Sequence, residues 1–161
     1  MEPRAKFLGH AIHQMLIPFP LGVLGIAVVF DVIALITARH TGLFLAAHYM
    51  IAAGVISGLL AAVFGAIDFF AIPRATRAKR VGTLHGGGNV LVVLLFAASW
   101  YLRREVPTDP SMLALILSFA GFAVSGLTAW LGGELVSQLG VGVHDDAHLD
   151  APSSLRRRPA R

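Results

Sequence analysis

Eight polar side chains stand inside or at the ends of otherwise apolar runs: His10, His13, Asp31, His48, Asp68, His85, Asn89 and Glu134. An ionisable group in hydrocarbon is costly unless it is paired or put to use, so these positions carry whatever chemistry the chain has. Sorted by depth, they form two layers. His10 and His13 precede the first run, Asp68 lies near the end of the second, His85 and Asn89 near the start of the third, and Glu134 at the end of the fourth. His10 and His13 are three apart, which puts both on one face of a helical turn. Three imidazoles with Asp68 and Glu134 form a ligand set for a divalent transition metal. Two of the imidazoles, His85 with His10 or His13, suffice for the iron of haem b, with Asn89 beside them. Asp68 and Glu134 would then fix the orientation of the rings. The competing reading is that these groups only tie helix ends together by hydrogen bonds. Gly86, Gly87 and Gly88 follow His85 directly. Three glycines weaken a helix, so a flat cofactor or a close backbone is expected against them. The thinner second layer holds Asp31 and His48, expected to form a structural polar pair, with Ser118 or Tyr101 adding hydrogen bonds.

Other chemistry is excluded or weak. Cysteine is absent, which removes disulfides and thiolate sites. No Walker-type loop, nucleophile elbow or HExxH motif is present. No nucleophile and base can be brought together, so no independent catalytic activity is expected. The stretch His144-Asp145-Asp146-Ala147-His148 would bind a divalent metal if helical, but reads better as a solvated acidic segment.

The elements that hold these residues are set by composition. Of 161 residues, 56% are hydrophobic and only 14% charged, against about 25% in soluble domains. Mean hydropathy is +0.73. Apolar runs cover residues 15–38, 43–72, 81–102 and 111–131. Each is long enough for a helix to cross about 30 Å of hydrocarbon, and none alternates as a membrane strand would. The fold expected is all-α, an integral membrane four-helix bundle. A short interfacial segment precedes it, and a polar, basic tail over 144–161 follows the domain of residues 1–143. The first run exceeds a signal-peptide core and is kept as a helix. Asp109 is expected to cap the fourth helix, with Pro110 in its first turn, and Pro73 to end the second. Small residues recur four apart at Gly54, Gly58 and Ala62, at Gly82 and Gly86, and at Gly121 and Ser125, which suits close helix packing in lipid. No internal repeat is detected. Lys and Arg near the run ends number ten on the side of both termini and the second loop, against three (Arg39, Arg103 and Arg104) on the other. The positive-inside rule therefore places both termini in the cytoplasm. The tail, with Arg156, Arg157, Arg158 and Arg161, is expected to be disordered and to touch anionic lipid. Its charge carries no nucleic-acid signature.

These motifs resemble a bacterial family of four-helix membrane proteins, DUF2231. "FLGHAIHQMLIPFPLG" is similar to the family's GHPxHPxLxxFPLG opening and retains His10, His13, Phe19, Pro20 and Gly22. "VFD" at Asp31, "GAID" at Asp68, "LHGGGN" at His85 and Asn89, and "GLTAWLGGELVSQLGVGV" around Glu134 are similar to further family segments. Ala11 and Gln14 replace usual prolines, which should free this segment to be helical, and Leu139 stands where the family often has a histidine. The resemblance implies a bacterial inner (plasma) membrane and these marked positions, but no reaction. Fusion of some relatives to Rieske-type domains implies a redox partner.

Three functions remain open at this point. The first is a haem b or metal-binding electron-transfer bundle, since bundle interiors recurrently hold such centres. The second is metal-ion or proton transport or handling through the same residues, which a homo-oligomer would favour. The third is a structural or accessory subunit without chemistry, with lipid as its main partner.

Overall fold

A computed structural model describes residues 1–37 and 40–155. Two short strands, β1 (Lys6–Phe7) and β2 (His10–Ala11), pair antiparallel and lead into α1 (Ile12–Leu16). Four long helices follow: α2 (Pro18–Ile36), α3 (His40–Ala71), α4 (Arg77–Arg103) and α5 (Met112–Ser137). All four, with α1 continuing into α2, are long and apolar enough to span a membrane. The expected all-α four-helix architecture is thus the one observed.

Local chemistry explains most boundaries. Leu8 and Gly9 both have positive φ, the conformation that a two-residue hairpin turn demands. The opening segment is therefore a hairpin and only five helical residues. His10 sits on a strand, so it does not share a helical face with His13 as the spacing suggests. Pro18 opens α2, where its missing N–H costs nothing. The Thr76 hydroxyl accepts from Lys79 N–H to cap α4. At α5 the cap is Ser111, accepting from Ala114 N–H, rather than Asp109. Gly140, in the left-handed conformation, turns the chain back beyond α5. Arg39 and the Arg156–Arg161 cluster, used above for orientation and lipid contact, lie outside the described residues.

α2 packs closely on α3 and α4 on α5, making two hairpins, which meet mainly through α3 on α4 and less extensively through α2 on α5. The central core comprises Leu24, Ala27, Ala47, Ile51, Val92 and Phe96 with their neighbours. Large apolar side chains such as Ile36, Phe70 and Leu127 face outward around the perimeter. That outward face is what lipid requires of a helix bundle.

The two hairpins repeat one another, which the residues alone did not reveal. Asp31 on α2 and Arg103 on α4 are 72 residues apart and bonded to each other. The same offset relates His13 to His85, whose rings are neighbours, and Leu24 to Phe96. Leu24 lies over Gly54 of α3, and Phe96 over Gly121 of α5. His13 reaches the carbonyl of Ala61 and lies on Gly65; His85 reaches the carbonyl of Thr128 and lies on Gly132. The α3 and α5 positions keep one common offset of their own. The bundle is thus two equivalent hairpins around an approximate two-fold axis, with His13 and His85 facing across one end and Asp31 and Arg103 across the other.

Candidate functional site

At the end that carries the termini, the rings of His13 and His85 lie 6.4 Å apart, centroid to centroid, with their planes at 88°. The approach depends on two glycines. A Cβ on Gly65 would come within 2.7 Å of the His13 ring, and one on Gly132 within 3.0 Å of the His85 ring. His13 Nδ1 is 2.8 Å from the Ala61 carbonyl, and His85 Nδ1 is 2.9 Å from that of Thr128. A carbonyl only accepts, so each Nδ1 carries the proton and each Nε2 keeps its lone pair. Pinning one ring nitrogen on a backbone carbonyl is the usual way a protein prepares the other for a metal. Asn89 completes the surroundings. Its amide nitrogen donates to the His85 carbonyl at 2.9 Å, and its oxygen accepts from the Thr128 hydroxyl at 3.1 Å. That nitrogen lies 3.2 Å from His85 Nε2 and 3.5 Å from Nδ1. Near-equal distances put the amide beside the ring and in line with neither lone pair.

The remaining expected site residues are engaged elsewhere. Asp68 accepts the backbone N–H groups of Arg4 and Ala5 at 2.6 and 3.1 Å, anchoring the opening segment to α3. Glu134 pairs with Arg77 at 2.5 Å. Neither carboxylate orients an imidazole; backbone carbonyls have that role. His10 faces an open cleft beside Gly9, Gln14 and His144, with Nε2 3.2 Å from the Ser154 hydroxyl. Among the described residues, no third His, Cys, Asp or Glu joins the His13–His85 pair; the one such trio is Glu2, His144 and Asp146. His144, from the stretch singled out above, sits in a turn rather than a helix. Its Nε2 lies 2.7 Å from the Gly9 carbonyl and its Nδ1 3.2 Å from Glu2. The carbonyl and the Glu2 carboxylate together raise the His144 pKa, while Lys6 and His144 hold Glu2 down at about 2.

Of the glycine triplet, Gly88 packs against Thr128, whereas Gly86 and Gly87 border open space. A porphyrin needs a flat slot beside its axial ligands. Neither described cleft is lined by His13 or His85, and Asn89 with the two glycine backbones crowds the rings.

At the far end, the expected Asp31–His48 pair is replaced. Arg103 holds Asp31 through two bonds of 2.7 and 2.6 Å, and both side chains are fully buried. Ser118 bridges the two, and the Ser99 hydroxyl accepts from Arg103 Nε at 3.2 Å. His48 instead stacks on Trp100, 5.7 Å away, and its Nδ1 has no hydrogen-bond partner among the described residues. Arg103, counted above among the cations beyond the third run, is instead buried inside the bundle. The clue to its role was spacing: as many residues separate His85 from Arg103 as separate His13 from Asp31.

Four apolar helices packed as two equivalent hairpins, with ionisable pairs at both ends of their axis, define a polytopic membrane bundle. The family described as predicted membrane protein (DUF2231) matches residues 9–145, and the chain belongs to it. No curated protein and no solved structure matches it.

Proposed function

We propose that the protein binds one transition-metal ion between His13 and His85 and serves in handling that ion at the membrane. The observation that carries this reading is the pinning of both Nδ1 atoms on backbone carbonyls, which leaves two Nε2 lone pairs on neighbouring rings. The excess of Lys and Arg beside the termini supports a cytoplasmic position for this end, in a bacterial inner membrane. Electron transfer through haem b gains no support from the packing, and a Rieske-type partner rests on the family resemblance alone. Purely structural pairing would need neither uncommitted lone pair.

The test is metal content and visible spectrum of the full chain, purified in detergent after growth with metals and haem supplied. About one equivalent of a transition metal, lost from His13→Ala and His85→Ala but retained by His10→Ala, is expected. An empty wild-type protein, or metal kept by the double variant, overturns the assignment. A Soret band dependent on the same histidines would restore the haem reading in its place.

A further inference from the structure

Resting on the metal-binding reading, we propose that the ion is a soft monovalent d10 cation, copper(I) in the cell, held by the two imidazoles alone. Three observations converge on this. First, the donor set stops at two. No third His, Asp or Glu joins the pair among the described residues, and the chain has no cysteine. Divalent zinc takes four ligands, and magnesium or calcium takes six or more, largely oxygen. A filled-shell monovalent ion is content with two nitrogens in line.

Second, the spacing fits. With metal–nitrogen bonds of about 2 Å, two imidazoles in line set their centroids roughly 6 Å apart, whereas a tetrahedral angle draws them to roughly 5 Å. The rings stand 6.4 Å apart. In-line ligation also leaves the rings free to rotate about the bond axis, so planes at 88° cost nothing.

Third, charge sets a limit. Both ligands are neutral, and the two carboxylates that the long helices carry at this end are committed, Asp68 to backbone amides and Glu134 to Arg77. A divalent ion here would keep its whole double charge in a poorly solvated place, and the cost of burying an unpaired charge rises steeply with that charge. The approximate two-fold axis adds the reason the histidines number two: each hairpin supplies one histidine, one carbonyl and one glycine.

The experiment uses the full chain in detergent, freed of metal, under anaerobic conditions. Copper(I) is offered from a chromophoric chelator of known affinity, silver(I) serves as a redox-inert surrogate, and zinc(II) is titrated in parallel. Copper(I) and silver(I) are expected to bind at one equivalent, at least a hundredfold more tightly than zinc(II). X-ray absorption of the copper form should show two nitrogen neighbours. His13→Ala and His85→Ala should each weaken copper(I) binding at least tenfold and to a similar extent. Should either variant fail to fold, the absorption spectrum of the wild-type protein decides alone. Zinc(II) bound more tightly at the same histidines, or copper with three or more neighbours, overturns the inference and leaves the metal-binding reading standing. Failure of every ion to bind overturns both.

Discussion

The charged side chains divide sharply between those whose loss the fold tolerates and those it does not. Arg103 and Asp31 are fully buried, and every polar atom of the pair has a partner in the other, in Ser118 or in Ser99. Removing one member strands the other, which costs about 3–5 kcal/mol in buried pairs. Arg103→Ala and Asp31→Ala should therefore each lower the thermal midpoint of the detergent-solubilised protein sharply, while Arg104→Ala, an exposed neighbour, should leave it unchanged. Equal midpoints for Arg103→Ala and Arg104→Ala would refute the buried pair. His144 behaves differently, because it lies outside the spans. Its contact with Gly9 and Glu2 is strongest with both ring nitrogens donating, as an imidazolium. Its pKa is raised above 6.5, so the stabilisation is full below that value and is lost as pH rises through the folded-state pKa. Glu2 is lowered from 4.5 to about 2, so its share is full above 4.5 and is lost as pH falls toward 2. Hydrogen exchange in residues 1–11 should be slowest between pH 4.5 and 6.5, after correction for intrinsic rates, and should quicken above that window. His144→Gln should remove the upper limb; an unchanged profile would show that the contact does not hold the opening segment.

Among the helices, length and hydropathy announced themselves in the residues, whereas the pairing of faces did not. Four runs of apolar residues can only be spans, and the four helices follow them within several residues at each end. α3 and α4 reach further because His40 and Arg77–Arg80 are good enough helix residues once neighbouring chain supports them. Small residues at four-residue spacing marked close approach, but not which of them make it. Gly54, Gly82 and Gly121 do: a Cβ would fall 2.5 Å from Leu24, 3.2 Å from Phe69 and 2.9 Å from Phe96. Gly58 meets only ordinary contacts at 3.7 Å, and Gly86 meets nothing. Gly54→Ala and Gly121→Ala should thus destabilise by about 1–3 kcal/mol through overpacking. Gly58→Ala should be neutral or slightly stabilising, as alanine favours helix. Leu24→Ala should relieve Gly54→Ala in a double-mutant cycle, and additivity of the two would contradict the packing of α2 on α3.

At the scale of the whole molecule, the approximate two-fold axis explains why the site was half legible. Histidines 13 and 85 stood out by type, but their pairing depends on an equivalence between hairpins whose aligned residues mostly differ: Leu24 matches Phe96, Ala61 matches Thr128, and Asp31 matches Arg103. The second hairpin also returns by a shorter path, so one register shift does not align both helices. Opposite charges at equivalent positions hide a repeat from residue comparison while joining its halves. This equivalence can be tested by exchange. In Asp31→Arg with Arg103→Asp, each new side chain enters a place of like geometry, so the pair should re-form across the axis. The restoration should be partial, because the serines that serve Arg103 belong to the second hairpin. Ser99 matches Ala27 and Ser118 matches Ile51, all fully buried, and the aliphatic counterparts offer an exchanged guanidinium no acceptor. The doubly exchanged protein is expected to melt above both single reversals and below wild type, and Ala27→Ser with Ile51→Ser should narrow the gap. A double exchange no more stable than the single reversals would mean that positions 31 and 103 are not equivalent, and the two-hairpin description would fall with it.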